Sequence, residues 1–169
     1  MGWGETMLGC FKEAGVTFIT YVPDHMLVPL ITGAEADDAF TIFASTREDE
    51  AVASACGAYL GGTPAATLMQ SSGFGNIPNA LASLAVPFQI PVIMVISERG
   101  ALGEYNYVQV PISRLLRPAL DALGIPHHTL TREEEVEFIT GRATLQALRT
   151  QQPVALILSP MLTGGKIDR

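Results

Sequence analysis

A chain of 169 residues is long enough for about one domain with a sizeable core. Its 48% hydrophobic and 16% charged composition excludes a disordered segment and a coiled coil. Ten Lys and Arg against 17 Asp and Glu leave a net charge of −7, which argues against nucleic-acid partners, because these need a basic face.

The N-terminus, Met1-Gly2-Trp3-Gly4-Glu5, lacks the basic and apolar regions of a signal peptide, so a cytoplasmic location is expected. Residues 5–14 read as a helix and Val16–Val22 as a strand rich in β-branched and aromatic residues. Further strands are expected at Phe40–Ala44, Ala65–Met69, Pro91–Ile96 and Pro153–Leu158, with a strand-like segment after His127 and His128. Helices are expected at Glu48–Leu60, Asn76–Leu84, Ile112–Leu123 and Glu133–Leu148. This alternation predicts a single three-layer α/β domain over 1–169, core about 5–160. Its sheet is mostly parallel, with about six strands and helices on both faces.

Cys10 and Cys56 lie far apart with no Cys-x-x-Cys, and both read as buried thiols. From Ala51 through Ser97 there is no Asp, Glu, Lys or Arg. Glycines and prolines interrupt this stretch, so it is no membrane span, and burial or a surface hidden by another subunit accounts for it.

In a parallel sheet, ligands sit beyond the carboxyl ends of the strands, which directs attention to the loops there. Glu48 heads the stripe Val52, Ala55, Cys56 and Tyr59 of its helix, an apolar direction for a carboxylate. The alternative is capping, by a Ser45–Glu48 or a Thr46–Asp49 box. Asp49 and Glu50 fall on other faces and read as solvated. Gln70-Ser71-Ser72-Gly73-Phe74-Gly75-Asn76 follows a strand and opens a helix; its N–H groups face a ligand or its glycines serve the turn alone. Arg47, Arg99 and Arg114 are candidates for an anionic substrate, or else pair with acids such as Glu98 or Glu104. Arg117, Arg132, Arg142 and Arg149 read as solvated. His25 is placed either for proton transfer or as a plain helix-start residue.

Taken together, Val22-Pro23-Asp24, Thr46 to Ala51, Gly57 to Gly62, Met69 to Asn76, Asn79-Ala80-Leu81 and Ser97 to Arg114 resemble the pyrimidine-binding (Pyr) domain of thiamine diphosphate enzymes. The resemblance implies that Glu48, in a Glu-x-x-Ala pattern, is the catalytic residue and hydrogen-bonds N1′ of the cofactor's aminopyrimidine, favouring its imino tautomer. Ser71, Ser72, Gly73, Phe74, Gly75, Asn76 and Asn79 would line the cofactor. His25, Arg47, Gln70, Arg99 and Arg114 would meet a small anionic 2-oxo acid with a second anionic group, sulfopyruvate first and phosphonopyruvate as the alternative. The implied activity is non-oxidative decarboxylation.

Family members hold the diphosphate through Mg²⁺ on a separate domain bearing Gly-Asp-Gly, and this chain contains no Gly-Asp dipeptide. One chain therefore offers half a site, and the resemblance implies a hetero-oligomer with a beta subunit carrying the diphosphate and metal contacts. Two other readings compete with this one: a non-catalytic α/β regulatory subunit, and a self-sufficient hydrolase using the glycine loop.

Overall fold

A computed structural model describes residues 2–165. Six strands, β1 (Phe18–Tyr21), β2 (Thr41–Ala44), β3 (Ala65–Gln70), β4 (Val92–Ser97), β5 (His127–Leu130) and β6 (Val154–Leu158), form one sheet in the order β2-β1-β3-β4-β6-β5. Every pairing is parallel. The carboxyl ends of all six strands therefore lie along one edge. The chain runs outward from β1 to β2 and returns to place β3 on the other flank of β1, so order reverses between β1 and β3, where such sheets hold ligands.

Strand alternation feeds two cores. Ile19, Leu68, Ile93, Val95, Leu156 and Leu158 point to one side, under α1 (Trp3–Glu13), α2 (Val28–Glu35) and α8 (Glu133–Thr150). Met69, Val92, Met94, Ile96 and Ile157 point to the other, under α3 (Glu48–Leu60), α4 (Ser71–Phe74), α5 (Pro78–Ala80) and α7 (Leu116–Ala122). β4 and β6 are buried along their whole length, as strands covered on both faces must be, whereas β2 at the edge is largely exposed. α6 (Gln109–Ser113) and α9 (Pro160–Thr163) complete the elements. Among the described residues no helix is long and apolar enough to cross a membrane.

The structure departs from the sequence expectations in four places. α2 was not anticipated, because it is short and holds Thr32 and Gly33; its signals are Pro29 in the first turn and the buried stripe Leu30, Ile31 and Ala34. The expected helix Asn76–Leu84 is a short α5 that widens into a π turn over Leu81–Ala85. The expected helix Ile112–Leu123 is split into α6 and α7. Pro118 lacks an N–H and fits only a first helical turn, so a new helix must start just before it. His127 and His128 open β5 instead of preceding a strand.

Both cysteines are buried. Burial pushes the Cys56 thiol up to about 11.

Candidate functional site

α3 begins where Arg47 leaves extended backbone, and its first turn carries Glu48, Asp49 and Glu50, acids favoured by the helix dipole. The turn is anchored from beneath, since the fully buried Thr20 hydroxyl of β1 donates to the carbonyl of Ala51 at 3.0 Å. Neither expected capping box forms. Glu50 takes that place, accepting the Thr46 N–H at 2.7 Å, and Asp49 pairs with Arg47 on the surface while keeping much of its side chain in solvent. Glu48 is thereby free to turn inward, and only 7% of it is exposed.

Its Oε2 accepts a 2.8 Å hydrogen bond from Asn76 Nδ2. Its Oε1 has no hydrogen-bond partner among the described residues and lies over Gly73, where a Cβ would come within 2.1 Å of it. Gly73 is required for this close approach and not for backbone strain. Gly75 is similarly constrained, since a Cβ there would meet Ile112 Cδ1 of α6 at 2.7 Å. Asn76 and Asn79 are both exposed.

A second group of residues ties the strand ends together. The Ser71 hydroxyl, fully buried, accepts the Arg99 N–H at 2.9 Å. The Arg99 guanidinium donates side-on to Glu104, Nε to Oε2 at 2.9 Å and Nη2 to Oε1 at 3.2 Å. Glu104 also accepts the N–H groups of Gly100 at 3.2 Å and Asn106 at 3.0 Å. The Arg99 guanidinium holds the Glu104 carboxyl down at about 2. Arg99 Nη1 stands 4.0 Å from Asp24 Oδ1, and Asp24 in turn accepts the Ser97 hydroxyl at 3.3 Å and the Met26 N–H at 3.2 Å. Gly100 adopts φ +71° and packs so tightly on α6 that a Cβ would lie 2.6 Å from the Gln109 carbonyl oxygen.

The structure thus brings Glu48, Gly73, Gly75 and Asn76 to one corner, with Ser71 linking it to Arg99. The side chains of the other candidates make no hydrogen bond to this corner among the described residues. Phe74, expected to line the cofactor ring, is fully buried in the core with Val52 and Leu116 and faces no opening. Arg47 forks onto Asp49 at 3.0 and 3.3 Å with most of its side chain in solvent. His25 is exposed in a groove with Trp3, Val28 and Pro29, on the α1 and α2 side of the molecule. Arg114 is exposed and makes no ion pair among the described residues. Gln70 ends β3 with its Oε1 buried and without a hydrogen-bond partner. Arg117, expected in solvent, pairs with Glu98 at 2.5 Å and donates to Thr129 Oγ1 at 2.9 Å. Sequence reasoning gave Asp24 and Ser97 no role. Their signals were position at the ends of two central strands and membership of the Val22-Pro23-Asp24 and Ser97 to Arg114 segments.

Residues 1–115 match the family described as thiamine pyrophosphate enzyme, N-terminal TPP binding domain. The sulfopyruvate decarboxylase subunit alpha of Methanothermobacter thermautotrophicus is 38% identical over 154 residues, 91% of this chain and 93% of that protein. The phosphonopyruvate decarboxylase of Streptomyces viridochromogenes is 42% identical over 95 residues, 56% of this chain and 24% of that protein. Among solved structures, 2-oxoglutarate:ferredoxin oxidoreductase from Magnetococcus marinus, with 2-oxoglutarate, coenzyme A and succinyl-CoA bound, superposes with a TM-score of 0.73 at 14% identity. That match covers 96% of this chain and 29% of the other, and shows the shared fold.

Proposed function

The chain belongs to the thiamine pyrophosphate enzyme family, as an N-terminal TPP-binding domain related to sulfopyruvate decarboxylase alpha subunits, and on that premise we propose that it is the alpha subunit of a non-oxidative 2-oxo acid decarboxylase. The observation that carries this reading is the Glu48 carboxylate, buried at a helix start with Oε1 unbonded in the notch over Gly73. A degenerate regulatory domain has no use for a carboxylate kept on an apolar stripe.

The residues present fit the aminopyrimidine half of thiamine diphosphate. Glu48 keeps one carboxylate oxygen without a hydrogen-bond partner among the described residues to meet a ring nitrogen, and the buried Gln70 Oε1, just before the 71–74 turn, is a second polar atom without one. When bound, the cofactor supplies a carbon nucleophile for the 2-oxo carbonyl and an electron sink for decarboxylation. Glu48 Oε1 would hydrogen-bond the ring nitrogen, while Asn76 fixes the side chain through Oε2. Low exposure strengthens that contact by lowering the local dielectric. Ser71, Ser72 and Gly75 shape the turn, and Asn79 stands at its rim. Arg114, exposed just after α6 and without an ion pair among the described residues, is assigned to the second anionic group of the substrate, sulfopyruvate in this reading. The positions of Arg47 and His25 give neither a part in it.

Asn76, the hydrogen-bond partner of Glu48, is exposed, and the relative of matching length is named a subunit, whereas the phosphonopyruvate enzyme carries the matched segment in a much longer chain. These facts support a beta subunit that closes the site and brings Mg²⁺ and the diphosphate contacts. Calorimetric titration of thiamine diphosphate and Mg²⁺ should give binding to the mixture of the two chains, with carbon dioxide released from sulfopyruvate. Glu48→Gln should remove turnover in that mixture while leaving the fold intact. Activity retained by this variant would overturn the assigned role, and faster turnover of phosphonopyruvate would reassign the substrate.

A further inference from the structure

Arg99 presents a conflict: a cation at the end of a central strand suits an anionic substrate, yet two acids already surround it. Glu104 is 5% exposed at its side chain and accepts four hydrogen bonds, two from Arg99 and two from backbone N–H groups of its own loop. Asp24 lies on the other side of the guanidinium and is itself bonded to Ser97 and Met26. A guanidinium so neutralised is a poor receptor for a further anion but a good clamp, because its planar fork fixes geometry. Arg99 also passes its placement on, since its backbone N–H is held by the Ser71 hydroxyl, the first residue of the turn that carries Gly73. From Glu104 to Glu48 there is a continuous path of short contacts: Glu104 to Arg99, Arg99 to Ser71, and the 71–73 turn against the Glu48 carboxylate.

We infer that Glu104 is a positioning residue: through the Arg99 clasp and the Ser71 hydroxyl it sets where the 71–74 turn stands against Glu48. The geometry is independent of the proposed cofactor, although the catalytic consequence rests on it. Misplacement of about 1 Å at a reacting group costs up to roughly 10²-fold in rate, so a loosened clasp is felt in turnover more than in folding.

The test uses the full chain and compares wild type, Glu104→Gln and the double variant Arg99→Met with Glu104→Met, which removes both partners of the clasp and leaves Asp24 to its bonds with Ser97 and Met26. Amide hydrogen exchange is followed at residues 71–76 and, as a control, in β6. In Glu104→Gln, exchange at 71–76 should rise about tenfold with β6 unchanged, and in the mixture with the beta subunit kcat should fall about tenfold with KM within twofold. The double variant, which lacks the clasp altogether, should exchange at 71–76 at least as fast as Glu104→Gln with β6 again unchanged, and protection there at the wild-type level overturns the inference. Unchanged exchange there, or an equal rise in β6, overturns the inference. So does a raised KM with kcat intact, which would return Arg99 to the substrate. If wild type binds no thiamine diphosphate in the mixture, the cofactor reading fails, and the exchange result still decides the role of Glu104.

Discussion

Gly73 shows how one absent methyl group serves a site. Its φ lies outside the left-handed region, so alanine is allowed by the backbone, and in a helical turn alanine is preferred to glycine by roughly 1 kcal/mol. The added Cβ would nevertheless fall 2.1 Å from Glu48 Oε1, 2.5 Å from its Cδ and 2.6 Å from its Cγ, so the whole buried side chain must turn away. Gly73→Ala should therefore lower thermal stability by several degrees while the chain still folds. It should also swing the carboxylate out of the notch, weaken the bond to Asn76, and lower kcat about 10²-fold in the two-chain mixture. A variant with normal turnover would show that Glu48 needs no such approach. The direction of Glu48 was legible in the sequence from helical phase alone, because Val52, Ala55 and Cys56 share its stripe and all three are buried. Its contact with Gly73 was not. Residues 25 apart in sequence meet only once the parallel sheet brings the loops after β2 and β3 to one edge.

At the scale of elements, the loop after β4 is an ordered clasp, because every charge within it is paired inward. Glu104 sits well below its ordinary carboxylate value, at about 2. Its folded value is lower than its unfolded one. The stability it contributes is therefore fully present above the unfolded value near 4.5 and is lost as pH falls toward about 2. Glu135 at the start of α8 is lowered to about 2 as well, by the Thr131 and Arg132 groups it caps, so wild-type acid unfolding alone does not isolate the clasp. The difference between wild type and Glu104→Gln does. It should be constant from pH 7 to pH 5 and shrink steadily below that, by denaturant unfolding at each pH. A difference that stays constant down to pH 2 would mean the carboxylate keeps no special pairing in solution. Composition already offered Glu104 as a partner for Arg99; what it could not supply was the fork geometry, which depends on Gly100 turning at positive φ against α6. Pro118 teaches the reverse, since its consequence for α6 and α7 was readable from the missing N–H and was overridden by the run of leucines.

For the whole molecule, the charge-free stretch from Ala51 to Ser97 divides into two kinds of surface. Most of it is core, in β3, β4 and the inner face of α3. The remainder is exposed and still uncharged: Ala53, Gly57 and Leu60 follow one another along the outer face of α3, and Ala82 and Phe88 lie nearby in the chain that packs beside it. An outer helical face without charge is unusual for a surface that meets only water. In the two-chain reading it is the face the beta subunit covers. Gly57 gives a clean test because a side chain built there meets nothing within 4 Å. Gly57→Glu replaces a glycine by a good helix former in a helix interior, which should raise stability by about 0.5–1 kcal/mol. The same carboxylate, forced into an uncharged interface without a partner, should weaken association with the beta subunit at least tenfold, since an unpaired buried charge is costly. Sedimentation of the mixture measures association, and thermal unfolding of the isolated chain measures stability. Higher stability with lost association places the interface on α3, whereas undiminished association moves it to another face and leaves the missing charges to be explained by the core alone.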